Sequence, residues 1–104
     1  MKKRNIILIG MPGAGKSSVG VILAKALGYE FIDTDLVIQH REKRLLREII
    51  ADEGNEGFLA IENEVNATLE ADESVIAPGG SAIYGKEAME HFKEIGIIVY
   101  LKLS

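Results

Sequence analysis

With 104 residues and a net charge of −4, the chain is one domain at most, and its acidity argues against a sequence-independent grip on nucleic acid, which needs a basic surface. Its 47% hydrophobic and 27% charged residues are the balance of an ordinary soluble globular protein. The absence of cysteine leaves neither a disulfide framework nor a thiolate metal site, which fits a reducing cytoplasm.

The start, MKKRNIILIG, has the basic first part of an export signal. Its apolar run, Ile6 to Ile9, is too short for a signal or a membrane span, so a cytoplasmic protein with no membrane partner is expected. Asn5 to Ile9 is β-branched and non-alternating, the pattern of a strand buried on both faces. Gly10 to Gly15 is glycine-rich, and from Lys16 to Leu27 the residues Val19, Ile22, Leu23, Ala26 and Leu27 recur at helical spacing, with Gly28 as the stop. Tyr29 to Asp33 reads as a second strand. Leu36 to Glu53 reads as one or two helices, broken by Gly54 to Gly57, after which Phe58, Ile61, Val65 and Leu69 resume the period. Ser74 to Ala77 is a third strand, closed by Pro78-Gly79-Gly80. Lys86 to Ile95 is a helix ending at Gly96, and Ile97 to Leu103 is a fourth strand.

Strands alternating with helices specify an α/β fold with a mostly parallel sheet. IIVYLKL reads as an inner strand, yet no helix follows to cover it, and an uncovered apolar edge invites association. The expectation is that residues 1–104 form a single domain, C-terminally incomplete, a monomer when complete and able to associate through that last strand. HREKR, His40 to Arg44, and the charged face Lys86, Glu87, Glu90, Lys93 and Glu94 read as solvated helix surfaces. His40 and His91 read as surface histidines, and the three tyrosines as packing.

Gly10-Met11-Pro12-Gly13-Ala14-Gly15-Lys16-Ser17 satisfies every fixed position of G-x-x-x-x-G-K-[ST], between a strand and a helix as that motif requires. Glycines let backbone N–H groups line a concave anion site, and the helix beginning near Lys16 adds the positive end of its dipole. Gly10, Gly13, Ala14, Gly15, Lys16, Ser17 and Ser18 form the candidate phosphate-binding set. Lys16 is placed to bridge β- and γ-phosphates and the Ser17 hydroxyl to ligate Mg²⁺. The implied ligands are ATP and Mg²⁺.

Such a metal usually has a carboxylate on a neighbouring strand. The third strand offers none, whereas FIDTD offers Asp33 and Asp35. On extended chain residues i and i+2 point the same way, so both acids would face the strand ends where α/β sheets bind ligands. The competing reading makes Asp35 the N-cap of a helix starting at Leu36.

In order and spacing, IGMPGAGKSSVG, FIDTD with Ile38, EGFLAIE, VIAPGG and IIVYL resemble the shikimate kinase family. The resemblance covers essentially the whole chain. It implies a three-layer P-loop fold with strand order 2-3-1-4-5 and transfer of the γ-phosphoryl of ATP to a ring hydroxyl of shikimate, in aromatic amino acid biosynthesis. It further implies that Asp33 lies near Mg²⁺, that Asp35 contacts the acceptor hydroxyl as its base or orienter, and that the backbone of Gly79 and Gly80 lies against the substrate.

The acceptor half departs from the family pattern. The family's G-F-R-x-x-E reads Gly57-Phe58-Leu59-Ala60-Ile61-Glu62, so the arginine that would grip the shikimate carboxylate is Leu59. The third turn glycine is Ser81, the preceding threonine is Pro78, the family's Asp-x-x-Ile-Glu ends in Gln39, and a glycine expected shortly after is Lys43. Losing a bidentate arginine removes a charge-assisted pair that leucine cannot replace. Either another cation such as Arg41, Arg44 or Arg47 holds the carboxylate, or the acceptor is another small hydroxylated molecule. A third reading is a nucleotide-binding protein without phosphotransfer, against which the retention of both Asp33 and Asp35 counts. The family's lid arginines, adenine-contacting segment and fifth strand would follow the fourth strand. The 104-residue piece is therefore expected to turn over poorly by itself.

Overall fold

A computed structural model describes residues 4–10, 16–79 and 82–101, with all side chains there except those of Lys16, Ser17 and Ile83. The elements are β1 (Asn5–Gly10), α1 (Lys16–Leu27), β2 (Glu30–Asp33), α2 (Thr34–Glu42), α3 (Leu46–Ala67), β3 (Ser74–Ala77), a 3₁₀ turn (Ala82–Tyr84), α4 (Lys86–Ile95) and β4 (Gly96–Leu101). The four strands form one sheet in the order β2-β3-β1-β4, and every pairing is parallel. The order expected from the family resemblance is thus found for these four strands.

β1 is covered on both faces, as its unbroken apolar run implies. Alternate residues of a strand face opposite ways: Ile7 and Ile9 join Ile76 against Ala88, Phe92 and Ile95 of α4, while Leu8 joins Val75 against Ala24 of α1. Phe92 is fully buried, a burial worth about 1.5–3 kcal/mol. A third cluster, Ile38, Ile49 and Val65, fastens α2 to α3.

The face of α1 that meets the sheet differs from the periodic one. Val19, Ile22 and Leu27 are exposed, and Gly20, Leu23 and Ala24 turn inward instead. The reason is close approach: a Cβ on Gly20 would lie 2.5 Å from the Phe31 ring. Only small residues permit that contact, and periodicity of large apolar residues does not register them.

The segment 36–53 resolves into two helices. α2 begins two residues earlier than expected, at Thr34. It ends at Lys43, whose backbone is left-handed (φ 56°, ψ 37°), with its N–H bonded to the Gln39 carbonyl. This is the position where the family pattern has glycine, the residue that adopts such angles without strain. Gln39 also accepts the N–H of Leu46 through Oε1 at 3.0 Å, an interaction glutamine provides as well as glutamate. The expected break at Gly54 is a kink within α3, where φ is 76° and ψ 173°.

β4 lies at a sheet edge, with Ile97, Val99 and Tyr100 exposed. At the opposite end of the strands, Asn5 is buried and spans three elements. Its Nδ2 donates to the carbonyls of Ala71 and Ile95, both at 2.9 Å, and its Oδ1 accepts the N–H of Ser74 at 3.1 Å. No motif singled it out. Tyr84 and Tyr100, expected to pack, are exposed, whereas Tyr29 packs against the α1 side of the sheet.

Candidate phosphoryl-transfer site

Because all four strands are parallel, their carboxyl ends share one edge: Gly10, Asp33, Ala77 and Leu101. α1 begins at Lys16, six residues beyond the end of β1, so its amino terminus faces the same edge, where ligands bind in open α/β sheets. Gly13, Ala14, Gly15, Gly80 and Ser81, and the side chains of Lys16 and Ser17, lie outside the described residues. Gly10 has a further reason to be glycine, since a Cβ there would sit 2.7 Å from the Leu101 carbonyl oxygen.

Asp33 ends β2 and is itself the N-cap of α2, its Oδ1 accepting the N–H of Asp35 at 2.9 Å. The cap is therefore Asp33 and not Asp35. The extended-chain argument for a common direction fails with it, because Asp35 already lies in the first turn of α2. A carboxylate at that position also favours the helix dipole.

Asp35 and Glu62 converge on Gly79. A Cβ built on Gly79 would meet Glu62 Oε2 at 2.9 Å and Asp35 Oδ1 at 3.0 Å. Glu62 is 2% exposed. Helix α2, helix α3 and the turn after β3 thus bring an acid, an acid and a glycine to one point. The sequence assigned Glu62 only a retained place; its approach to Gly79 is a tertiary fact.

Leu59 is partly exposed and, as its i, i+3 relation to Glu62 implies, lines one cavity with it, of about 290 Å³. Asn63, Ala82, Tyr84 and Lys86 complete most of its wall. Asn63 builds this corner. Its Oδ1 accepts the N–H of Ala88 at 3.0 Å, capping α4 from another helix, and its Nδ2 donates to Glu87 Oε2 at 2.9 Å. That bond holds the Glu87 carboxyl below its ordinary range, with help from the Glu87 backbone N–H. Gly85 leaves room for this, as a Cβ there would be 2.3 Å from Asn63 Oδ1. A helix beginning Gly85-Lys86 without its own capping side chain was the one sequence signal that a cap comes from elsewhere.

The arginines proposed as substitutes for the missing one are engaged with acids. Arg41 pairs with Glu64, whose hydrogen bond raises the guanidinium above its ordinary range. Arg44 pairs with Asp52, Glu42 and Glu53. Arg47 is exposed and does not line the cavity of Leu59. The basic run is thus a largely exposed surface, as its composition suggested, and its arginines Arg41 and Arg44 are paired with acids. His40 is exposed, but His91 is only half-exposed, its Nε2 2.6 Å from the Leu69 carbonyl oxygen. Among the described residues no group of three or more His, Cys, Asp or Glu could hold a metal, and no helix is long and apolar enough to cross a membrane. A larger cavity, about 720 Å³, opens beside Asn5, Tyr29 and Gly96 at the amino ends of the strands, away from this chemistry.

The family description "Shikimate kinase" matches residues 12–104. Shikimate kinase 2 of Yersinia enterocolitica is 39% identical over 101 residues, covering 97% of this chain and 58% of that protein. The shikimate kinase of Acinetobacter baumannii, solved in complex with shikimate, superposes with a TM-score of 0.87 at 37% identity, over 98% of this chain and 57% of that one. That of Bacteroides thetaiotaomicron superposes at 0.82 and 33% identity, over 94% and 56%. The chain therefore spans less than two thirds of the length of these relatives. With nearly its full length matched, the chain belongs to the shikimate kinase family.

Proposed function

We propose that the protein carrying this chain transfers the γ-phosphoryl group of ATP to a hydroxyl of shikimate or a related small hydroxylated acid. The observation that carries this reading is the convergence of Asp35, Glu62 and Gly79 at the sheet edge that the phosphate-loop motif also borders. A protein that only bound nucleotide would have no use for a second acid at that distance from the strand end.

In this reading the backbone amides of Gly10, Gly13, Ala14, Gly15, Lys16, Ser17 and Ser18, with the Lys16 ammonium, hold the phosphates. Ser17 and Asp33 are the groups for Mg²⁺, which when bound supplies positive charge against the phosphate oxygens. Asp33 fits that role, since its cap uses one carboxylate oxygen and leaves a second to accept. Asp35 orients the acceptor hydroxyl and takes its proton. The acceptor oxygen forms its bond to the γ-phosphorus as the bridging P–O bond breaks, and ADP leaves. Positioning and electrostatics do most of this work. Gly79, Gly80, Ser81 and Leu59 border the acceptor. ATP use, the lack of cysteine and the absence of a membrane-length helix among the described residues support a cytoplasmic location.

The test is acceptor-dependent ADP release by the full-length protein, screened over shikimate and other small hydroxylated acids. Release with shikimate supports the reading, and release only with another acceptor moves the substrate. ATP binding with no acceptor-dependent release defeats it. Lys16→Ala should lower turnover at least tenfold; unchanged rate and ATP affinity would remove the phosphate cradle from the account.

A further inference from the structure

We infer that Asn63 is a positioning residue for the acceptor side, holding the turn that begins at Gly79; this rests on the reading above that Gly79 borders the acceptor. Consecutive residues of α3 reach the two ends of that turn. At one end, Glu62 Oε2 lies 2.9 Å from where a Cβ of Gly79 would be. At the other, Asn63 Oδ1 accepts the N–H of Ala88, in the first turn of α4, at 3.0 Å. Between these ends the backbone ties itself together. The Ala82 N–H donates to the Gly79 carbonyl at 3.1 Å, and the Gly85 N–H to the Ala82 carbonyl at 3.0 Å. Ala82 is buried, so a shift at Gly85 has little room to be absorbed before it reaches Gly79.

Capping alone would not require Asn63. Ser, Thr, Asn or Asp at position 85 would cap α4 from its own chain, and the extended backbone there (φ −90°, ψ 107°) admits any of them. Glycine stands there instead, and a Cβ on it would collide with Asn63 Oδ1. A local cap and the reach of Asn63 therefore exclude each other, and this chain has the cap that crosses from α3. The crossing bond ties the turn and α4 to the helix that carries Glu62, which a local cap would not do. Asn63 Nδ2 adds a second tie, to Glu87 Oε2 at 2.9 Å. Small misplacements of groups that border a substrate are costly in turnover.

Gly85→Ser separates capping from positioning, in the full-length protein with shikimate as the acceptor. The serine gives α4 a cap of its own and pushes the Asn63 amide aside. Its denaturant midpoint should stay close to that of the wild type. Its kcat/KM for shikimate should fall roughly tenfold, with KM for ATP unchanged. Asn63→Ala, which removes both side-chain bonds, should show the same kinetic loss with a lower midpoint. Asn63→Asp combined with Glu87→Gln keeps the acceptor for the Ala88 N–H and reverses the second bond. That pair should return kcat/KM to within about threefold of wild type. Amide exchange supplies a readout that needs no acceptor: the Ala82 N–H should exchange about tenfold faster in Gly85→Ser. Wild-type shikimate kinetics in Gly85→Ser or in Asn63→Ala would leave Asn63 a cap only and overturn the inference. If the wild type shows no shikimate-dependent ADP release, shikimate is not the acceptor and exchange alone decides the hold on the turn. Faster Ala82 exchange then supports it, and an unchanged rate overturns it.

Discussion

Asp33 holds Asp35 through its backbone: the Oδ1 of the first accepts the N–H of the second at 2.9 Å. One acid of the pair therefore starts the helix that carries the other. Their roles separate by substitution. Asn caps helices as well as Asp, so Asp33→Asn should keep stability within about 0.5 kcal/mol of wild type while lowering turnover at least tenfold. Asp33→Ala should also lose about 1 kcal/mol of stability. Asp35→Asn should reduce kcat by roughly 10²–10⁴ without changing KM for ATP. Denaturant midpoints with steady-state kinetics measure both, and full activity in Asp33→Asn would leave Asp33 a capping role only.

Gly79 is the point where the side chains of Asp35 and Glu62 converge. Its hypothetical Cβ contacts are the tips of the flexible Glu62 and Asp35 side chains, not backbone. Gly79→Ala should thus cost little stability, under about 1 kcal/mol, but push both carboxylates aside by a few tenths of an ångström. Misplacement of that kind is costly in catalysis. We expect kcat/KM for the acceptor to fall at least tenfold with KM for ATP unchanged. A variant with wild-type acceptor kinetics would show that the carboxylates do not act at this point.

Lys43 sits at φ 56°, where a side chain is strained and glycine is not. Lys43→Gly should raise unfolding stability by about 0.5–1 kcal/mol, readable as a shift in denaturant midpoint at constant m-value. A loss of stability would mean that the greater freedom of glycine in the unfolded chain outweighs the relief of strain.

Asn5 makes three hydrogen bonds, two of them buried, to Ile95 and Ser74, and one partly buried, to Ala71. Asn5→Ala leaves two carbonyls and one N–H without their partner. The expected cost is about 2–4 kcal/mol, a large share of the stability of a domain this size. Thermal melts should show it directly, and a change below about 0.5 kcal/mol would mean that solvent replaces all three bonds.

The phosphate-loop motif is legible in the sequence because it is local. A phosphate loop is one contiguous stretch between a strand and a helix, and its chemistry follows from residues within reach of each other along the chain. The α/β class, the buried β1 and the helix Lys86–Ile95 were legible for the same reason. The inward face of α1 was not, because Gly20 and Ala24 are chosen by the distance to Phe31 and the sheet. Nor was the assignment of the cap to Asp33, which turned on a two-residue shift in where α2 begins.

The sequence by itself determined the α/β class and carries the phosphate-loop motif and the acids Asp33 and Asp35, since local patterns of apolar spacing, glycine and charge suffice for these. Only the tertiary structure decided which distant groups come together beside it. Glu62 meets Asp35 at Gly79, Asn63 caps α4 from α3, and Lys86 shares a cavity with Leu59. The physical reason is that these groups come from separate helices and turns, and only parallel strand pairing with helix packing brings them together.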